Sequence, residues 1–239
     1  MTEEMLCKNL LLGISGSIHA VDAHQYLLFF RQHLAQNIKV VMTRQAAQMV
    51  SPQTLALYAD DRVFVEVWDQ SPEVNKAAHL QLTRWADLFV IIPATADIIG
   101  KAANGIADDL LSTCILSYPR TIVFAPVMNV VMFQSKALQR NLKTLEADGH
   151  YIVMPEALGM AVGTGDWAHT ACPTPETALL HLRHIRMKQL KDDYWEEATR
   201  EKPMTPSERK KQYVQEIKQK IQARREAEQA VPSKQNALE

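Results

Sequence analysis

The chain has 239 residues, with 26 Lys plus Arg against 27 Asp plus Glu, a formal net charge of -1 and 47% apolar residues. That supplies a full core for one domain with a tail or two small domains, and the near-neutral balance, without a basic stripe carrying aromatics in the first 190 residues, argues against a nucleic-acid binder. No segment reaches the ~18 continuous apolar residues that span a bilayer, because Pro93, Asp97, Pro119 and Pro126 interrupt the most hydrophobic region, so no membrane partner is expected.

The N-terminus is acidic before its apolar run and reads as a first strand, Asn9 to Ile14, rather than a signal peptide. The loop Gly13-Ile14-Ser15-Gly16-Ser17 follows it directly. Ala20, Ala23, Leu27, Phe30 and Leu34 then recur at helical spacing, as one face of a helix packed on a sheet. Ile38 to Met42 is the second strand, ending in Thr43, and Arg62 to Val67 is a candidate third after the breakers Ser51-Pro52 and Asp60-Asp61. Residues 77 to 86 look helical, Leu88 to Ile92 is an apolar strand, and 96 to 117 form one long helix despite Gly100 and Gly105. Thr121 to Ala125 is another strand, 134 to 148 a helix closed by Gly149, and Tyr151 to Met154 the last strand. Alternation of about six strands with helices predicts an α/β fold, a doubly wound parallel sheet of the Rossmann or flavodoxin kind. Residues 158 to 175 carry too many Gly and Pro for regular structure and read as a mobile loop. Residues 201 to 239 hold nine Lys/Arg and six Asp/Glu with Val214, Ile217 and Ile221 as a thin apolar stripe, the pattern of a solvated helix. Three scattered cysteines, Cys7, Cys114 and Cys172, form no disulfide framework and point to a reducing cytoplasm. No metal site is expected.

In a doubly wound sheet, ligands bind beyond the carboxyl ends of the strands. The Gly13 to Ser17 loop has the small residues and hydroxyls that suit a phosphate, but it lacks full G-x-G-x-x-G spacing, and Thr43 stands where an acidic ribose ligand would end the second strand. A mononucleotide phosphate or ribityl chain fits that hydroxyl better than a dinucleotide ribose. His79 precedes the fourth strand, and a single histidine there is ordinarily structural. Pro93-Ala94-Thr95-Ala96-Asp97 reads plainly as a capped helix start, and Asn129 in Pro126-Val127-Met128-Asn129-Val130-Val131-Met132-Phe133 as a turn-forming residue.

Taken together and in this order, a histidine, P-A-T-A-[N/D] and P-x-M-N-x-x-M-[W/F] resemble the homo-oligomeric flavin-containing cysteine decarboxylases. That family includes phosphopantothenoylcysteine decarboxylase and the lantibiotic peptidyl-cysteine decarboxylases of mersacidin and epidermin type. The resemblance covers about residues 8 to 187, so residues 1–187 are the expected flavoprotein domain and 188–239 a charged helical extension. It implies that His79 is the catalytic base and that Asn129 holds the substrate carboxylate. It places the flavin on Gly13, Ser15, Gly16, Ser17, Ile18, Thr43, Pro93, Ala94, Thr95, Ala96 and Asp97, with Met132, Val162 and Gly163 beside Asn129 on the substrate side. FMN is the implied cofactor, with FAD left open; the implied assembly is a homotrimer, or a dodecamer of trimers, with the flavin near a subunit interface. A cysteine carboxylate has no electron sink, and the flavin makes one by taking a hydride from the β-carbon while a near-neutral base takes the thiol proton.

Two positions depart from the pattern. The resemblance implies that coenzyme A-type enzymes carry a cysteine in their clamp loop that helps reduce the enethiol; Val162 stands there, and valine has no thiol to donate. Cys172, in the same loop, is a candidate replacement. Asp97 stands where the family usually has Asn, which adds negative charge near the flavin. The expected activity is therefore oxidative decarboxylation of the C-terminal cysteine of a ribosomal precursor peptide to an aminoenethiol. Phosphopantothenoylcysteine decarboxylase, acting on a small cysteine conjugate, and a non-catalytic flavin-binding regulatory subunit are the alternatives; a flavin prenyltransferase fits less well because it lacks the P-x-M-N asparagine.

Overall fold

Apolar residues on both faces of successive strands dictate the architecture. β1 (Cys7–Ile14) sends Leu10, Leu12 and Ile14 to one core cluster and Leu11 to the other, and β3 (Leu88–Ala94) does the same with Val90 and Ile92 against Phe89 and Ile91. That period of two, with apolar residues on both faces, is what a sheet covered by helices on either side requires. All seven residues of β3 are buried. The computed structural model describes residues 5–67, 77–154, 159–160, 167–168, 172–199 and 215.

The sheet is parallel and five-stranded, in the order β2-β1-β3-β4-β5, with β2 at Ala35–Met42, β4 at Ile122–Pro126 and β5 at Tyr151–Ile152. Five strands replace the six expected. Arg62 to Val67 makes only an isolated bridge, Phe64 to Val41. Along the edge of β2 the Asp60 carboxylate takes the Ile38 N–H at 2.6 Å and the Asp60 N–H donates to the Ile38 carbonyl, while Phe64 donates to the Val40 carbonyl and accepts from the Met42 N–H, so this segment pairs through one residue rather than as a strand.

One core cluster holds α1 (Ala23–His33), through Leu27 and Phe30, and the described part of α9 (Pro175–Thr199), through Leu182 and Ile185. The other holds α4 (Ala78–Trp85), α5 (Ala96–Ala103), α6 (Leu110–Ser117) and α8 (Lys136–Ala147). Short helices α2 (Arg44–Met49), α3 (Pro52–Ala56) and α7 (Val130–Gln134) fill connections, and a 3-10 turn, Ile18–Asp22, precedes α1. The long helix expected over 96 to 117 is two helices. Gly105, at φ +65, ends α5: its N–H donates to the Ala102 carbonyl and that of Ile106 to the Lys101 carbonyl, a left-handed C-terminal motif that suits glycine. Asp109 then starts α6 with a reciprocal capping box to Ser112.

Within the segment expected to be a loop, β6 (Gly159–Met160) pairs antiparallel with β7 (Trp167–Ala168). The chain divides into two compact units, Met1–Lys191 and Asp192–Glu239. Of the second, the described residues comprise the end of α9 and the helical Gln215. Among the described residues no helix is long and apolar enough to cross a membrane and no metal-ligating cluster occurs.

Candidate active site

From β1 the chain turns to β2 on one side and, later, to β3 on the other, so the strand order reverses at β1 and β3 and a crevice opens beyond their carboxyl ends. Ser15 holds its two sides together. Its buried hydroxyl donates to the Pro93 carbonyl at 2.7 Å and accepts the Thr95 N–H at 2.9 Å, while its own N–H also donates to Pro93. Gly13 pairs with Val41 and Ile91 inside the sheet, and Ala94 is likewise fully buried. These two shape the floor, and the exposed rim begins at Gly16 and Thr95. Gly16 is a close approach: a Cβ there would stand 2.5 Å from Gln45 Cβ, so only glycine lets the loop lie against α2.

Each strand end hands over to a helix through a capping side chain. Ser17 accepts from His19 N–H, Thr43 from Ala46 N–H at 3.2 Å, Thr95 from Ile98 N–H and Asn129 from Met132 N–H at 2.8 Å. The plain reading of the Pro93 to Asp97 segment as a capped helix start and of Asn129 as a turn former is realised, and Ser17 and Thr43 cap helices as well. The cap also fixes the orientation of Asn129: Oδ1 faces the helix, which leaves the two amide N–H donors for other partners. Asn129, Val131 and Met132 are exposed.

His79 lies in the first turn of α4, which runs down to the start of β3, so it stands at the rim end of the sheet. Its carbonyl accepts from the Thr83 hydroxyl at 2.7 Å. Its Nδ1 is buried and has no hydrogen-bond partner among the described residues. A buried ring nitrogen without a partner is costly and uncommon. No hydrogen bond joins His79 to Asn129 among the described residues. Val162 and Gly163 lie outside the described residues.

Two features had no assigned role in the sequence. Lys101 Nζ sits 3.3 Å from Asp97, 3.0 Å from Asp108 and 3.6 Å from Asp109. The Asp97-Lys101 spacing of four was the available signal. Beside them is a cavity of about 150 Å³ lined by Arg44, Gln45, Glu66, Lys101 and Asp109, with Arg44 and Glu66 paired across it. The second feature is Tyr26, whose hydroxyl bonds the Pro173 carbonyl and lies 3.1 Å from Cys172 Sγ. Burial pushes the Cys172 thiol up to about 12, although the Tyr26 bond opposes the shift. Cys7 and Cys114 are also buried and also pushed up to about 12.

Hydroxyls at three strand ends, the capped start of the eight-residue α5 and an orphaned imidazole nitrogen fit a hydroxyl-rich anionic ligand. Comparison with known proteins decides which. The Flavoprotein family profile matches residues 1–179. The chain belongs to the Flavoprotein family.

This flavoprotein is 37% identical over 178 residues to the mersacidin decarboxylase of Bacillus sp. strain HIL-Y85/54728, covering 73% of this chain and 89% of that protein. The solved structure of MrsD from the same strain superposes with a TM-score of 0.64 at 34% identity, over 74% of this chain and 95% of that one. The FMN-dependent cysteine decarboxylase SpaF gives 0.61 at 33%, over 74% and 97%. The bifunctional coenzyme A biosynthesis protein CoaBC of Bacillus subtilis is 38% identical over 157 residues; this flavoprotein matches 65% of its own length but spans only 38% of that relative. The relatives it matches are enzymes, and a flavin is the cofactor class of its family.

Proposed function

We propose that this flavoprotein is an FMN-dependent oxidative decarboxylase of the C-terminal cysteine of a precursor peptide, releasing an aminoenethiol. Gly16 to Ile18, Thr43 and Thr95 to Asp97 hold the FMN along the rim, and Gly13, Ser15, Pro93 and Ala94 shape the wall behind it. When bound, the flavin supplies an acceptor for the hydride of the cysteine β-carbon. His79 removes the thiol proton as that hydride leaves, so the sulfur becomes doubly bonded to the β-carbon. The carbon–carbon bond to the carboxylate then breaks, CO₂ leaves, and its electron pair passes through the new double bond onto sulfur as an enethiolate. Asn129 donates its free amide N–H groups to the carboxylate, which orients it without adding a charge that would oppose its loss.

The observation that carries the oxidative reading over the coenzyme A reading is the state of the cysteines. Returning an enethiol to a saturated product needs the hydride back together with a proton from an acid held beside the substrate, and Val162, where the resemblance puts a cysteine, has no proton to give. Cys7 and Cys114 are buried, Cys172 is half-buried and engaged by Tyr26, and all three are held protonated far above neutral pH. None of the three stands at position 162, where the resemblance puts the proton-donating thiol. The likeness to mersacidin decarboxylase, along nearly its whole length, supports the same choice. A homo-oligomer, trimer or dodecamer, and a cytoplasmic setting complete the proposal.

The test is mass spectrometry of the yellow holoprotein incubated with a cysteine-terminated peptide and, separately, with phosphopantothenoylcysteine. Loss of roughly 46 Da from the peptide, CO₂ plus two hydrogens, is expected. Loss of CO₂ alone from the pantothenate substrate would return the chain to coenzyme A synthesis. No mass change in either, with flavin bound, would favour the regulatory reading.

A further inference from the structure

Asp97 occupies a position that works against the function proposed above, and the inference here rests on that reading. It lies in the first turn of α5, just past the Thr95 cap. The partial positive charge of a helix start favours an anionic ligand, and a carboxylate placed there competes with that ligand and with the negative charge of a flavin taking up electrons.

Lys101, one turn further along the same helix, meets that charge. Its side chain is only 18% exposed, against 66% for Asp97, and its ammonium is shared among Asp97, Asp108 and Asp109. An isolated exposed pair contributes little. This ammonium differs in being largely out of water and in reaching two elements: Asp97 belongs to α5, whereas Asp109 caps α6 and Asp108 precedes it. Burial alone would lower the Lys101 pKa, but the hydrogen bond to Asp108 and the charges of Asp97 and Asp109 more than reverse this and raise it above the ordinary lysine value. Its partner Asp108 is correspondingly held below the usual carboxylate range, chiefly by the Lys101 hydrogen bond.

We propose that Lys101 is a positioning residue of the flavin site: it fixes the start of α5 against the start of α6 and offsets part of the negative charge of Asp97, so that a carboxylate on this rim opposes binding and reduction of FMN less. The pair acts as a unit, and an amide at position 97 would leave Lys101 with a surplus of positive charge relative to the native site.

The experiment compares Lys101→Met, Lys101→Arg, Asp97→Asn and the Asp97→Asn/Lys101→Met double variant with the parent chain. It reads the dissociation constant for FMN and the midpoint potential of the bound flavin. Lys101→Met should weaken FMN by about tenfold, the scale of one charged hydrogen bond, and move the potential to more negative values. Lys101→Arg should stay near the parent, Asp97→Asn should move the potential to more positive values, and the double variant should return it toward the parent. A potential unchanged in Lys101→Met, or a double variant no different from Lys101→Met alone, would overturn the assignment. Where Lys101→Met does not fold, Asp97→Asn decides alone: a positive shift supports the pair and an unchanged potential removes it. A parent chain that binds no FMN at all defeats the flavin reading before any variant is made, so the two failures are distinguishable.

Discussion

His79 and Asn129 make separable demands on the chemistry. His79→Asn should keep the flavin and the fold yet lose turnover by about 10²- to 10⁴-fold, the usual worth of a positioned base; absorbance of the purified protein and peptide mass loss measure the two. Full turnover in that variant would remove the base assignment. Asn129→Asp separates its two roles, because aspartate caps a helix as well as asparagine does but repels a substrate carboxylate. Stability should hold while KM rises; Asn129→Ala should in addition lose about 0.5–2 kcal/mol of stability with the cap. Asn129 also shows how a functional residue hides in a sequence. Its motif was legible, but so was an ordinary turn, and the structure puts a cap at that position, 2.8 Å from the Met132 N–H. One side chain meets both descriptions, and periodicity has no means of choosing between them. Lys101 was overlooked for a related reason, since an Asp-Lys spacing of four reads as surface decoration until burial is known.

Among the elements, the crevice depends on Ser15 joining the turns after β1 and β3. Ser15→Ala leaves the Thr95 N–H without its acceptor in a buried position and should destabilise the chain by about 1–3 kcal/mol while weakening FMN; chemical denaturation and flavin titration check this. An unchanged flavin affinity would show that the junction serves the fold alone. The strands were legible because their apolar runs are long and buried on both faces, as β3 shows. The helix break at Gly105 was missed although its parts were visible, Asn104-Gly105 followed by Asp109-x-x-Ser112, because apolar spacing continues across it from Ile98 and Ile99 to Leu110 and Leu111. The expected strand over 62 to 67 is realised at one residue: Val63 and Phe64 are buried, and Phe64 alone pairs with the edge of β2, at Val40 and Met42, while Asp60 meets that edge at Ile38. Only the three-dimensional contact reveals that.

For the whole molecule, buried thiols set an alkaline limit. Cys7, Cys114 and Cys172 are shifted by burial from an ordinary 9.0 to about 12. Below about pH 9 neither folded nor unfolded thiols ionise and their contribution is fully present; above it the unfolded chain loses protons that the folded chain keeps. Stability should therefore fall as pH rises from 9 toward 12, which thermal unfolding across that range will show, and the native thiols should react slowly with alkylating reagents near pH 7. Light scattering should place the holoprotein at a multiple of 27.0 kDa, three-fold or twelve-fold for the proposed assembly. The central claim is that the chain oxidises its substrate and has no proton-donating thiol at position 162 to help return the electrons to the enethiol. Anaerobic titration of the FMN-loaded protein with a cysteine-terminated peptide tests it most directly: the flavin absorbance should bleach with one product formed per flavin and return only when air is admitted. Many products per flavin without air, the flavin staying yellow, would mean that the electrons taken from the substrate are returned to it in a redox-neutral cycle and would contradict the account.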